Sequence, residues 1–547
     1  MRFLLVPVIV LWGSVSSVQG AAFTSSASGD FAAAWGGKSP GAGDHVRIQA
    51  DHTVVIKEAL ELGGGDEPAI TVEGKLVVNG PLTLQSDLVV RKGGTLEMGA
   101  GSVLELGKSQ VRATGARSFR LVGGKGGRVR IASSERQGGI QVEQAGQIEM
   151  TGVGFVNMGP CAFSLSGAAD GRLTMRSCLW ENYSGFSVDD GKGGAQPGKT
   201  SSIEIADTDF RKATGGKFLT VGRGAGPAVI SHCTFSGGRG SIYVLAKACV
   251  FKDNICDNAG YFADMGANDN QVTGNFFNHM VGAEWTILTS GKTVIARNYF
   301  YVTFHNSHTI LGGADPMIVR ENVIEGYSPP ADHIIPNVGD LTATRNILIG
   351  SGTFVTRLMR PSEKDRVSTK RNTIYISSSG AGMIHYCEMS RQSPQSAVVS
   401  NNLVVDANPE SKDRGVWCEP EGPDQVTYLD YNAFFNVSQH CGGVAMTGKK
   451  EGEAGFGAHD LANVDPGFVD PSRDMKKWDR VNGGAGTHDH AMEELLKLNR
   501  DDYNPKYSVE GLLTYVQQGF VPTNRQLKGA GDPKDGSPDI GAMDVAP

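Results

Sequence analysis

Between Asn254 and Asn432 one phrase recurs eight times: an apolar or small residue three places before an asparagine, and usually another apolar residue two places after it. The copies read VFKDNIC, VTGNFF, IARNYF, VRENVI, ATRNIL, TKRNTI, VSNNLV and LDYNAF. Their asparagines are Asn254, Asn275, Asn298, Asn322, Asn346, Asn372, Asn402 and Asn432, at steps of 21, 23, 24, 24, 26, 30 and 30 residues. A repeat of this length, made of short alternating segments between turn residues, predicts a solenoid of stacked β-coils. One coil cannot bury its own apolar face, whereas stacked coils share a core and pair their backbones along the stack. Asparagine suits the corner, because its short amide tolerates left-handed backbone angles and bonds to the same group one coil away. The column is therefore read as structural. Upstream, Val153, Cys178, Thr208 and Cys233 hold the same slot, each two residues before an aromatic, which starts the coils near residue 130.

Phrases of the form VxxNxF at this period resemble the right-handed parallel β-helix proteins of the pectin-lyase-like group, over residues of about 145 to 440. The resemblance implies a fold and leaves the reaction open. Residues 21–130 read differently: GDHVRIQADHTVVI and AITVEGKLVVNGPLTLQSDLVVRKGGTLEMGAGSVLELG alternate strictly between glycine-centred turns. This stretch resembles the extracellular glycine-rich domain named for its eight glycines, which in relatives precedes or caps a β-helix. A cap there would shield the unpaired end of the solenoid. Beyond Val437 the phrase stops, and two helical stretches, AMEELLKL and SVEGLLTYVQ, predict a second cap; THDHAMEE reads as a helix start rather than a metal site. The expected class is all-β: a right-handed parallel β-helix over 131–440, an N-terminal β-rich cap over 21–130, and a C-terminal mixed cap over 441–547.

The leader MRFLLVPVIVLWGSVSSVQG has one positive charge at Arg2, an apolar run from Phe3 to Trp12 and small residues before Ala21. It reads as a signal peptide over 1–20, cleaved after Gly20. A secreted, periplasmic or cell-surface protein is expected. Later runs fall short of the roughly eighteen apolar residues of a membrane span. With 74 glycines and 7% aromatic residues in 547, the chain suits many short strands. A formal charge of −7 gives no basic footprint for nucleic acid. A monomer is expected. The eight cysteines are even in number, and Cys387 in HYCEM and Cys418 in VWCEP form the best candidate disulfide, with stacked buried thiols as the alternative.

Aligning the coils on their asparagines gathers polar and aromatic residues on the strand preceding each phrase: AEWTIL, SHTILG, ADHIIP, TFVTRLMR, MIHYCEMSR and GVWCEP. Successive coils lie about 4.8 Å apart, so His308, Asp332, His333, Arg357 and His385 are expected to form a strip over neighbouring rungs, with Trp285 and Trp417 at its ends. Longer loops in the later coils add Arg360, Lys364, Arg366, Glu388 and Arg391, a basic wall on an acidic protein. That pattern suits an anionic polysaccharide. Elimination on a uronate needs a cation at the carboxylate, a base for the neighbouring C–H and an acid for the leaving oxygen. The expected roles are His308 or His333 as base, Arg357 as carboxylate neutraliser, Asp332 as the group orienting a histidine, and His385 or Tyr386 as acid. Trp285, Arg360, Tyr386, Glu388, Arg391 and Trp417 would bind substrate. The chain departs from lyases resembling chondroitinase B: Thr289 and Gly312 stand near the slots of their catalytic lysine and arginine, and Lys292 is displaced. Neither that mechanism nor its calcium ligands carry over; no metal ligand is assigned, although calcium is left open. Two alternatives stand beside the lyase. One is a glycoside hydrolase using paired carboxylates among Asp264, Asp315, Asp332 and Asp340; the other is a non-catalytic glycan-binding or surface protein.

Overall fold

The computed structural model describes residues 20–547 except 124–126, 135, 166–170, 190–200, 223–225, 239, 265–268, 279–284, 303–307, 313–315, 327–331, 337–338, 351–352, 356, 359–363, 378–383, 389–395, 409–413, 419–427, 438, 443–451, 453–455 and 537. For some strand residues, including His308, Asp332, Arg357 and 384–388, only the backbone is described.

Each coil contributes one strand to each of three parallel sheets. The coil around Asn298 shows the pattern: Trp285–Thr289 in the first sheet, Thr293–Ala296 in the second and Tyr299–Val302 in the third. Strands of equal rank pair with the next coil, so the first sheet alone runs through fifteen strands from Ala22–Thr24 to Thr353–Val355. Beyond it Arg357–Leu358, Ile384–Glu388, Arg414–Cys418 and Gln439–Gly442 form a short sheet of their own. The chain is thus a parallel β-solenoid, as its repeat predicts. Pairing continues without a break across residue 130: Gln110–Thr114 pairs with Gly139–Ala145, Ser118–Val122 with Gln147–Thr151, and Val103–Glu105 with the strand of Arg130. The glycine-rich stretch occupies the N-terminal end as coils of the same ladder.

The asparagine column is fully buried between the second and third sheets. Asn298 donates from its backbone N–H and from Nδ2 to Asn322 Oδ1, at 2.9 and 3.0 Å, and Nδ2 also donates to the Val272 carbonyl at 2.8 Å. Asn322 repeats the pattern on Asn346, at 3.1 and 2.9 Å. The column begins with the Cys233 N–H on Asn254 Oδ1 and ends with the Asn432 N–H on Asp460 Oδ1. The left-handed angle expected at asparagine falls one residue earlier. Asp253, Gly274, Arg297, Glu321, Arg345, Arg371, Asn401 and Tyr431 have φ between 53° and 69°. Asparagine's part is to supply hydrogen bonds, and its neighbour makes the bend at about 1 to 2 kcal/mol where it is not glycine.

Two residues past the asparagine the side chain points into the core, as Phe277 and Phe300 do, stacked 5.1 Å apart. One residue past it the side chain points outward, yet Ile255, Phe276, Tyr299, Val323 and Ile347 are apolar and buried there. They are covered by the C-terminal region, whose helices α1 (Met475–Val481), α2 (His488–Leu495) and α3 (Val509–Gly519) lay Trp478, Leu495, Leu512 and Val516 against them. Farther along, Leu527, Ile540 and Val545 cover Leu403 and Ala433. The C-terminal cap region therefore lies along the flank of the third sheet. None of the described helices is long and apolar enough to cross a membrane.

Cys161, Cys178, Cys233, Cys249 and Cys256 are buried free thiols, and burial pushes Cys161 and Cys178 up to about 12. Strand register sets Cys418 against Tyr386, one place out of step with Cys387, which does not favour the disulfide expected between them.

Candidate functional site

The C-terminal region covers the third sheet from Ile255 to Ala433 and the second sheet presents paired charges such as Arg120 with Glu149, whereas the outer face of the first sheet carries aromatic side chains. Ile242 and Val244 are buried in the core, so strand alternation turns Tyr243 outward. There it meets a line of side chains from four successive rungs. The Lys217 ammonium sits 5.0 Å above the Tyr243 ring. Tyr243 and Tyr261 lie 5.5 Å apart at 73°, with their hydroxyls hydrogen-bonded to each other, and Tyr261 meets Trp285 at 6.5 Å and 76°. Lys217 is exposed and the three aromatic residues are half-buried. Burial, together with the bond to Tyr243, raises the Tyr261 hydroxyl to about 12, so it stays protonated at neutral pH.

Register carries this line to His308 and Asp332 but not to Arg357, which lies four residues beyond Thr353, the partner of Asp332. Trp285 pairs with His308, and His308 with Asp332; all three are the first residues of their strands. His308 and Asp332 are thus neighbours in backbone register, each two residues before a core isoleucine, Ile310 and Ile334. Asp332 in turn pairs with Thr353. Arg357 and His385 lie in the later short sheet, where Arg357 pairs with Cys387, Leu358 with Glu388, His385 with Trp417 and Tyr386 with Cys418. Arg360 and Arg391 fall outside the described residues. Lys364 and Arg366 are exposed, and the Arg366 N–H donates to Asp340 Oδ1.

His333 requires a correction. Ile334 is in the core, so alternation puts His333 on the outer face with Thr309 and Thr286, yet all three are buried and His333 is 0% exposed. Its Nδ1 lies 2.8 Å from Thr309 Oγ1. An imidazole enclosed in this way cannot meet a polymer, so His333 is withdrawn as the base.

Paired carboxylates fare no better. Asp264 is level with Thr289, Thr289's neighbour Leu288 with Leu311, and Gly312 with Pro336, so Asp264 and Asp332 stand three rungs and four residues apart. That is about 20 Å, against the roughly 5 to 9.5 Å of glycosidase carboxylates. Asp315 falls outside the described residues, and Asp340 is engaged by Arg366. Among the described residues no group of three or more His, Cys, Asp or Glu is placed to hold a metal ion.

Lys217, Tyr243 and Tyr261 were missed in the sequence. Tyr243 and Tyr261 lie in SIYVL and GYFAD, ahead of the phrases at Asn254 and Asn275, and Lys217 in GKFLTV, ahead of Cys233, so carrying the coil alignment three rungs upstream would have found them.

Residues 34–156 match the G8 domain. In space the G8 region is a run of coils at the N-terminal end, continuous in all three sheets with those that follow, and it extends past the boundary expected at residue 130. It ends before Lys217, so the candidate site lies wholly outside it. No curated protein matches the chain.

Proposed function

We propose that the protein is an exported, carbohydrate-active solenoid that cleaves a uronate-containing polysaccharide by β-elimination. The observation that carries this reading is the pairing of Asp332 directly beside His308 at the start of adjacent strands of the first sheet. His308 is the base: it takes the proton from the carbon bearing the uronate carboxylate, and that electron pair forms the double bond as the neighbouring C–O bond breaks. Asp332 holds the imidazole in the tautomer that accepts the proton. Arg357 neutralises the carboxylate and so acidifies the C–H, and His385 or Tyr386 returns a proton to the leaving oxygen.

The test is Arg357→Ala and His308→Ala on purified protein, with far-ultraviolet circular dichroism to establish that the coils persist. Each variant is expected to lose on the order of 100-fold or more in turnover. Undiminished turnover in both would overturn the assignment. A second reading, a glycan-binding protein without catalysis, is favoured by the line of aromatic rings and Lys217; such a protein would retain the polymer and release nothing.

A further inference from the structure

We propose that Lys217, Tyr243, Tyr261 and Trp285 form a binding subsite for acidic sugar units on the N-terminal side of the His308–Asp332 rung. The proposal deepens the lyase reading and rests on it for the identity of the polymer. Four observations carry it. The residues stand on four consecutive rungs, spanning about 14 Å at the parallel-strand spacing, which is the length of a short oligosaccharide; Lys217, Tyr243 and Tyr261 are on the outer face, and Trp285 opens its strand in contact with Tyr261. The two ring pairs are T-shaped, at 73° and 76°, so in each pair one ring turns its edge to its neighbour and keeps its faces clear of it. An aromatic face suits the apolar C–H side of a sugar ring, while tyrosine hydroxyls answer its polar rim. Lys217 brings a cation to the far end of the line, where a uronate carboxylate would meet it.

Contiguity with the reacting rung gives the line its meaning. Trp285 both contacts Tyr261 and pairs by register with His308, so the line of rings ends one rung from His308. A subsite of this kind acts through the length of the polymer: short substrates occupy the reacting rung alone, and longer ones gain the rings as well.

The experiment measures binding of size-defined uronate oligosaccharides, and of neutral oligosaccharides of equal length, to the full chain carrying Arg357→Ala, so that turnover does not intrude. Into that background go Lys217→Ala, Tyr243→Phe and the pair Tyr243→Ala with Tyr261→Ala. The expected result is an affinity that rises with the length of the acidic oligosaccharide. The paired alanine variant should lose roughly tenfold or more of that affinity on long acidic chains and little on the shortest. Lys217→Ala should weaken acidic chains alone, and Tyr243→Phe, which keeps the ring and removes the hydroxyl, should lose less than the paired alanine variant. Affinity independent of length, or equal losses for neutral and acidic chains, would overturn the proposal. If the subsite is right and the lyase reading wrong, the native protein binds long acidic chains and leaves them intact. If the reverse holds, elimination proceeds with no gain from chain length.

Discussion

The asparagine ladder concentrates much of the molecule's specificity in one atom per coil. Asn322 Oδ1 accepts from both the N–H and the Nδ2 of Asn298, while its own Nδ2 donates to Asn346 Oδ1 and to the Ile295 carbonyl at 3.0 Å. Asn322→Ala strands these buried partners, and at about 1 to 3 kcal/mol for each unsatisfied group it should destabilise the solenoid by roughly 3 to 5 kcal/mol in urea unfolding. Asp460 shows where an acceptor suffices: it receives the last Asn432 N–H at 2.7 Å. Asp460→Asn keeps that acceptor and should fall within about 1 kcal/mol of native. A large loss there, or a small one at Asn322, would show that the ladder does not hold the turn. This column was legible in the sequence because one side chain does the same job in every coil. The left-handed bend beside it was not, since Asp253, Arg297, Glu321 and Tyr431 share a backbone angle and no chemistry.

Among the elements, the C-terminal helices show a polar anchor under an apolar cover. Asp479, at the end of α1, is wholly buried; its carboxylate accepts from the His490 ring at 2.7 Å, the Tyr507 hydroxyl at 2.8 Å and the Gly486 and Thr487 N–H groups. Burial is the largest single influence on this carboxyl and works to raise it, but the four hydrogen bonds together hold it below the ordinary value of 3.8. The same bond to Asp479 raises His490 above 6.5. A lowered carboxyl contributes stability that is present above 3.8 and lost as pH falls through the folded value. A raised imidazole contributes stability that is present below 6.5 and lost as pH rises through the folded value. Amide exchange over 475–519, corrected for intrinsic rates, should therefore be slowest between pH 3.8 and 6.5. The alkaline loss should vanish in His490→Ala; if it persists there, another group sets it. The helices themselves were legible, but not their seat, because an amphipathic helix looks alike whether it covers an end or a flank. The unused signal was the residue just after each asparagine. Ile255, Phe276, Tyr299, Val323 and Ile347 point away from the core and are apolar nonetheless, which only a covering layer explains.

At the scale of the whole molecule, the covering decides where a ligand can lie. The third sheet is covered by the C-terminal region from Ile255 to Ala433, and the second carries its own paired charges, such as Arg120 with Glu149 and Arg176 with Glu204. The first sheet keeps a line of rings and a lysine that leads by register to His308 and Asp332. Coil periodicity made the rungs legible and so brought His308 and Asp332 together. It could not tell an outward side chain that is open from one that is enclosed, and His333 is the second kind. The most direct measurement of the central claim is to incubate the native protein with a panel of uronate-containing and sulfated polysaccharides, following ultraviolet absorbance and new reducing ends together. Elimination predicts that the two rise in step on at least one uronate polymer, because each cleavage leaves one unsaturated sugar and one reducing end. Reducing ends without ultraviolet absorbance would make the protein a hydrolase, and neither signal on any polymer would contradict catalysis at this rung.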